Sequence, residues 1–257
     1  MNIQTHHHLL KSISSVLAGS KSVFVVFALL VISIQKTNAQ SVEPMIFELE
    51  PIGSRSAESL RIENPNSGPI TLEIVPLKVS IDEFGKETTT PAEDDFLIYP
   101  PQTIVAADST QIVKVKYIGD PTIENSQAYR ISVNQLPVDL NTNDSGVSVL
   151  TKFLTLVNVV PKKTRPELAI EKIEADDDNR WLVTFKNSGS RFGALSNTSW
   201  LLESTVDSSK TKKISANEVG SFINQTLLPP KSEFKLSVPA VEDFSPTTTK
   251  ITMIKDG

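Results

Sequence analysis

The stretch from Gln127 to Pro161 constrains the fold of this chain more than any other part of it. Residues 129–137 alternate bulky and polar side chains, as in a strand that is buried on one face only. Residues 147–160 carry apolar side chains on both faces, and the segment between the two runs is rich in turn-forming residues. The pattern predicts a β-hairpin whose second strand either is covered by a neighbouring element or invites another chain to add to it.

Short runs of alternating apolar residues recur along the rest of the chain, with proline, glycine and asparagine between them. They lie at residues 45–49, 60–63, 70–79, 96–99, 113–117, 168–173, 181–185, 200–202, 234–238 and 251–253. No segment shows sustained apolar spacing of the helical kind. We therefore predict an all-β fold of two immunoglobulin-like β-sandwich domains, because short strands with regular turn signals are typical of such sandwiches.

A linker divides the two predicted domains. Residues 162–165 are polar and are flanked by Pro161 and Pro166, a pattern typical of a domain boundary, and the predicted linker covers residues 162–166. We expect an N-terminal domain over residues 40–161 and a smaller C-terminal domain over residues 167–257. The two halves show no sequence repeat.

The first 39 residues have the pattern of a cleaved secretory signal peptide. They contain no acidic residue, and Lys11 and Lys21 precede an apolar core over residues 23–34. That core is shorter than the roughly 20 residues that span a bilayer. Small residues end the segment at Ala39, so we expect the chain to be exported and cleaved there, with an uncleaved anchor as the alternative.

The composition of the mature chain excludes several classes of function. All three histidines lie in the signal segment and the chain has no cysteine, so the usual bases, thiol nucleophiles and zinc ligands are absent. We expect no catalytic residues, no metal and no cofactor. The mature chain has 22 basic and 30 acidic residues, a net charge of −8, which is unfavourable for binding nucleic acid. No nucleotide site is visible. Of the two acidic clusters, residues 93–95 and 176–178, the second is interpreted as a solvated turn rather than a calcium loop.

Two basic residues on the hairpin suggest an anion site. If the loop is centred near Asn141 and Thr142, Arg130 lies opposite Lys152. Facing like charges are destabilising unless an anion lies between them, and a carboxylate from another chain would fit. The alternatives are a different register, or neutralisation by acidic residues of this chain.

Several linked motifs resemble the periplasmic chaperones of the chaperone–usher pilus pathway. They are Asn64 at the end of the second run; the double proline Pro100-Pro101 with the strand pattern that follows it to Val115; Tyr129-Arg130-Ile131 through Leu136-Pro137; the long run to Val160-Pro161; and Lys186-Asn187-Ser188-Gly189-Ser190-Arg191. The resemblance covers nearly all of the mature chain. It implies two immunoglobulin-like domains arranged as a boomerang.

The resemblance also implies a function, which is to complete an unfinished pilin domain by lending it a strand. The donor residues by position are Val147, Val149 and Thr151, with Phe153 continuing the face. The family's best-known branch holds the subunit's terminal carboxylate with an Arg and a Lys, whereas the matching positions here are Ile46 and Leu156. The anchor predicted for this chain is instead Arg130 with Lys152.

We therefore predict a non-enzymatic periplasmic chaperone whose partners are pilin or fimbrial subunits and an outer-membrane usher. When free, the chain is expected to be capable of self-association through the same strand. The main alternative is a secreted two-domain immunoglobulin-like adhesion or scaffold protein, in which the strand would be covered internally or by a second copy. A hydrolase on a sandwich scaffold is disfavoured, because catalytic residue types are lacking.

Overall fold

The computed structural model describes residues 39–137, 149–223 and 227–255, except for the side chains of residues 197 and 255. The predicted signal peptide, the loop 138–146 and Val147 fall outside these ranges, apart from Ala39. Ten strands form the first part: β1 Ser41–Glu43, β2 Ile46–Leu49, β3 Ala57–Asn64, β4 Ile70–Ile81, β5 Glu87–Pro91, β6 Phe96–Tyr99, β7 Gln102–Val105, β8 Ser109–Tyr117, β9 Gln127–Leu136 and β10 Lys152–Val159. Eight strands and a helix form the second: β11 Leu168–Asp176, β12 Arg180–Asn187, β13 Gly193–Ala194, β14 Thr198–Ser204, β15 Thr211–Ile214, α1 Ala216–Phe222, β16 Leu227–Leu228, β17 Ser232–Pro239 and β18 Thr249–Lys255. Short 3-10 turns lie at Ser54–Ser56, Glu93–Asp95, Leu195–Asn197 and Pro246–Thr248.

Strands β1–β10 form a sandwich of two sheets, called here the first sandwich. One sheet has the order β1-β3-β8-β6, and the other has the order β2-β10-β9-β4-β5 with β7 also paired to β4. Alternation places the core between them: in β8, Val113, Val115 and Tyr117 are buried while Lys114 and Lys116 are exposed. Because a strand points successive side chains to opposite faces, this strand could be predicted from its sequence.

Pro76 lies inside β4, where a missing N–H would weaken a sheet. It stands where β4 changes partners: residues 70–73 pair with β7 and residues 77–81 pair with β5. The proline therefore lies at an interruption in the ladder on that side, while the other side of β4 pairs with β9 without interruption over residues 71–78.

Strands β11–β18 form the second sandwich around a separate core that includes Trp181, Phe185, Trp200 and Phe234. The all-β fold with two immunoglobulin-like sandwiches is confirmed. The predicted domain limits at residues 161 and 167 remain a prediction, and the predicted linker lies between β10 and β11.

The sequence analysis missed the helix α1. It is capped by Ser215, whose hydroxyl accepts from the backbone N–H of Glu218 while the Glu218 carboxylate accepts from the backbone N–H of Ser215. The spacing Ser-x-x-Glu is a start signal for a helix, but seven residues are too few to show helical periodicity. Among the described residues, no helix is long and apolar enough to cross a membrane.

Candidate functional site: the open edge of strand β10

Strand β10 is paired on both sides along only half of its length. It pairs antiparallel with β9 from Lys152 to Val159. On its other side it pairs in parallel with β2, and that pairing begins only at Leu156, opposite Ile46. Residues 152–155 therefore form an open sheet edge within the part of the chain that the structure describes.

The backbone hydrogen bonds show which groups this edge offers. The N–H of Gln135 in β9 donates to the carbonyl of Thr151, whereas the N–H of Leu156 donates to Met45 beside β2. Since the direction of backbone groups alternates along a strand, odd-numbered residues bond to β9 and even-numbered residues point away from it. Lys152 and Leu154 thus direct their N–H and C=O groups to the open edge, where a further strand could bind them.

Apolar side chains surround the end of this edge. Ile46, Leu154 and Leu156 lie on the outer face of the sheet and Met45 directly precedes β2; these four residues are called here the edge patch. Ile46 is 68% exposed, Met45 45% and Leu154 42%, and Leu156 is half-buried. Exposed aliphatic groups next to unpaired backbone are what strand addition requires and what a lone soluble sandwich avoids.

The four predicted donor residues have different environments. Val149 is 79% exposed and Thr151 is half-buried, and both precede the first residue of β10. Phe153 is half-buried against the chain's own core. Val147 lies outside the described residues. The same strand face therefore packs inward at Phe153 and is free at Val149, while the donor role itself remains a prediction.

The register predicted for the hairpin is wrong. Arg130 lies opposite Leu156, and Lys152 lies opposite Asn134, so the two cations do not face each other. Four residues separate them along the strand direction, a distance of about 13 Å at the usual rise per residue. The long loop leaves the register undetermined by the sequence, and the observed pairing places the centre of the hairpin two positions later than the predicted pairing does.

Arg130 is instead paired within the chain. Its Nε and Nη2 lie 2.9 and 2.7 Å from the two carboxylate oxygens of Glu87, and both side chains are about one quarter exposed. Glu87 belongs to β5, on the side of β9 opposite to β10. The guanidinium group is thus directed away from the open edge. Neutralisation of Arg130 by an acidic residue of this chain is one of the alternatives to an anion site that the sequence leaves open.

Lys152 is exposed and its ammonium has no hydrogen bond or ion pair with any described residue. Ile46 and Leu156, the positions matched to the family's usual anchor pair, are direct neighbours in the parallel ladder. The candidate site therefore combines one unpaired cation at its start with an apolar surface at its end.

The acidic cluster 93–95, which forms a short 3-10 turn, has a structural role. The hydroxyl of Tyr129 donates to Asp95 at 2.8 Å, and the Tyr129 ring packs edge-on against Phe96. Burial, followed by this hydrogen bond, raises the pKa of Tyr129 far above its usual value. Within the described ranges, no three acidic residues come close enough to hold a metal ion.

Sequence reasoning missed the edge patch because it assigned residues 45–49 to a strand without assigning its faces. The signal was present: Ile46 and Glu48 alternate with Phe47 and Leu49, and only the latter pair is buried. An isoleucine on the polar face of a strand could have been noticed as a surface feature.

Comparison by sequence finds no matching family profile and no matching curated protein. Comparison by structure finds many. The class 5 fimbriae chaperone CfaA is 13% identical with a TM-score of 0.56, and 84% of this chain covers 98% of that one. The chaperone–tip subunit complex CsuC–CsuE from the archaic chaperone–usher Csu pili of Acinetobacter baumannii gives the same values.

The E. coli chaperone DraB is also 13% identical, with a TM-score of 0.53 and coverage of 84% of this chain and 96% of that one. At these identities the similarity establishes the fold. The chain has the two-sandwich fold of fimbrial chaperones, which confirms the fold implied by the resemblance.

Proposed function

We propose that this protein is a non-enzymatic periplasmic chaperone that binds immunoglobulin-like fimbrial subunits by giving them the open edge of β10. The observation that carries the proposal is the open edge itself: Lys152 and Leu154 direct unpaired backbone groups outward, and exposed aliphatic side chains flank them. The chaperone–subunit complex CsuC–CsuE, whose structure is similar, gives the proposal further support.

Strand addition would use two different properties of β10. The outward backbone groups would form hydrogen bonds with the subunit whatever its amino-acid sequence, and the side chains would set the register. Phe153 and Thr155 occupy the chain's own core, and the same face continues at Thr151 and Val149 beyond the sandwich. Val147, Val149 and Thr151 would therefore enter the core of the subunit, with Phe153 at the junction of the two cores.

Of the predicted anchor pair, we retain Lys152 as a contact for an acidic group of the subunit. Arg130 is already engaged by Glu87 and serves the fold in this proposal. Export by the signal segment 1–39 and delivery of subunits to an outer-membrane usher belong to the same proposal. The proposal involves no covalent chemistry: transfer of a subunit would replace β10 with a donor strand from another molecule.

The proposal is tested by co-expressing the full chain with the secreted β-rich proteins encoded beside it and measuring which of them co-purify from the periplasm. Leu154→Asp should reduce co-purification by at least about a hundredfold, because a carboxylate against an apolar partner costs several kcal/mol. Ile112→Asp is the matched control: Ile112 is 51% exposed but lies in the middle of the other sheet.

Equal capture by wild type and Leu154→Asp, or no capture by wild type, would refute the proposal. The second result, found together with a stable dimer of the chain alone, would favour an adhesion or scaffold protein that covers this edge with its own second copy.

A further inference from the structure

The open edge of β10 has a fixed end. From Leu156 onward the edge is occupied by β2, and the Leu156 N–H is already bonded to the carbonyl of Met45 at 2.9 Å. A strand that adds to residues 152–155 in line with β2 must stop there. The last residue of the added strand would therefore lie against Met45, Ile46 and Leu154.

This end of the edge contains no free cation among the described residues. Arg130 lies in the same row as Ile46 and Leu156 but is bonded through Nε and Nη2 to Glu87, beyond the next strand. Glu48, two residues after Ile46, is paired with Arg191: the two carboxylate oxygens of Glu48 lie 2.6 and 2.7 Å from the Nη2 of Arg191. Charges close to the edge patch are thus matched within the chain.

Lys152, the unpaired cation of this strand, lies at the other end of the open edge. It is four residues before Leu156, or about 13 Å away at the usual rise per residue. Its ammonium is therefore too far along the strand to neutralise a charge located at Ile46. An ionised group at the edge patch would lose its hydration and gain no donor or counter-charge in return.

We infer that the added strand meets the edge patch with an uncharged apolar side chain and not with the terminal carboxylate of its chain. This inference rests on the proposed function and specifies the partner's chemistry. The last residue of the added strand that pairs with β10 is aliphatic or aromatic and packs against Ile46, and the partner chain continues beyond that residue without pairing to β10. An acidic group, where the partner has one, lies at the Lys152 end.

Opposite charges introduced at Ile46 distinguish the two possible occupants. The probe is the subunit that co-purifies with the wild-type chain. If the occupant is apolar, Ile46→Lys and Ile46→Asp both weaken its binding by at least about tenfold, and Ile46→Met stays within about twofold. If a terminal carboxylate lies there, Ile46→Lys strengthens binding while Ile46→Asp weakens it.

A second arm changes the probe. A short glycine extension at the subunit's C-terminus displaces its terminal carboxylate, and we expect it to leave the affinity for wild type within about twofold. A large loss on extension, a gain with Ile46→Lys, or wild-type binding by both charged variants would each overturn the inference.

The Leu154→Asp variant separates this inference from the proposed function. If Leu154→Asp abolishes capture while Ile46→Lys strengthens it, strand addition stands and only the apolar occupant is wrong. If Leu154→Asp binds as wild type does, or wild type captures no subunit, both are refuted. Circular dichroism of each free variant establishes that it is folded.

Discussion

Each of the two sandwiches has a buried asparagine at the equivalent position, with equivalent hydrogen bonds. Asn64 ends β3 and Asn187 ends β12. The Nδ2 group of each donates to the carbonyl four residues later and to the carbonyl of the last residue of a short strand, Val105 of β7 or Leu228 of β16. The Oδ1 atom of each accepts the N–H two residues later. Each equivalent pair of residues is separated by the same 123 positions.

The match extends to the turn that follows. Asp108 and Lys231, again 123 positions apart, have positive φ angles of 49° and 54°. The next residue is a serine in both, and its hydroxyl donates to the carbonyl three residues earlier. The two sandwiches therefore repeat a framework of hydrogen bonds in which few side chains other than asparagine and serine are identical. That is why comparison of the sequences alone showed no repeat.

The difference between the two sandwiches lies at the surface. Of the large hydrophobic residues that are exposed in the described chain, only Val206 and Ile254 belong to the second sandwich, and all the others belong to the first. Exposed aliphatic residues next to an open edge mark an interaction surface. The same framework thus supports a domain with exposed apolar residues and an open edge in one half and a better-covered domain in the other.

The largest effect should come from the asparagines. Asn64→Asp and Asn187→Asp each replace a donor that serves buried carbonyls with a charged acceptor, and each should lower the free energy of unfolding by about 3–5 kcal/mol. Both tryptophans lie in the second sandwich and all three tyrosines in the first, so tryptophan fluorescence and tyrosine circular dichroism follow the two separately.

Asn66→Asp is the control for this comparison, because Asn66 is exposed and takes part through its backbone only: its N–H donates to Asn64 and its carbonyl accepts from Asp108. If Asn64→Asp were as mild as Asn66→Asp, the shared framework would not stabilise the first sandwich.

A pair of exposed valines tests the surface contrast. Val149 beside the open edge is 79% exposed, and Val206 in the second sandwich is 76% exposed. Val149→Asp should weaken subunit capture by about a hundredfold, because the carboxylate would enter an apolar partner, while Val206→Asp should leave it unchanged. A pull-down with both folded variants measures this. Normal capture by Val149→Asp would remove Val149 from the interface.

Alkaline pH should destabilise the first sandwich specifically. Burial raises the pKa of Tyr129, so the folded state keeps its proton when the unfolded chain ionises near pH 10. The stability that this group contributes is complete below about pH 10 and is lost as the pH rises above it. The unfolding temperature, measured across this range with the tyrosine signal, should fall.

Tyr129→Phe should lower the stability at neutral pH by about 1–2 kcal/mol, through loss of the hydrogen bond to Asp95, and should make the alkaline decline shallower. An unchanged slope in this variant would assign the decline to other groups.

The smallest effects concern the two cations. Lys152→Ala should weaken subunit binding by about three- to tenfold, and Arg130→Ala should leave it within about threefold while lowering stability by about 1 kcal/mol. Because Arg130 is engaged by Glu87 and lies far from Lys152, the binding effects should add in the double mutant. Glu87→Gln should reproduce the stability loss. Coupled effects would show that the two residues share one carboxylate after all.

Alternation along the strands predicted more of the fold than it did of the site. The pattern around Tyr129 and Phe153 fixes which face is buried, and the shift in register from the predicted pairing preserved those faces because it moved the partners by an even number of positions. The pairing itself could not be read from the sequence, since the loop 138–146 is too long to impose one turn type. The ion pair of Arg130 with Glu87 and the start of the β2 pairing at Ile46 depend on strands distant in sequence.

Amide hydrogen exchange along β10 tests the central claim most directly. In the free chain, the N–H groups of Lys152 and Leu154 should exchange fast, while those of Phe153 and Thr155, which face β9, should be protected. Adding the co-purifying subunit should slow the exchange of Lys152 and Leu154 by at least about a hundredfold and leave the other two slow. Unchanged fast exchange of Lys152 and Leu154 in a complex that has formed would contradict strand addition at this edge.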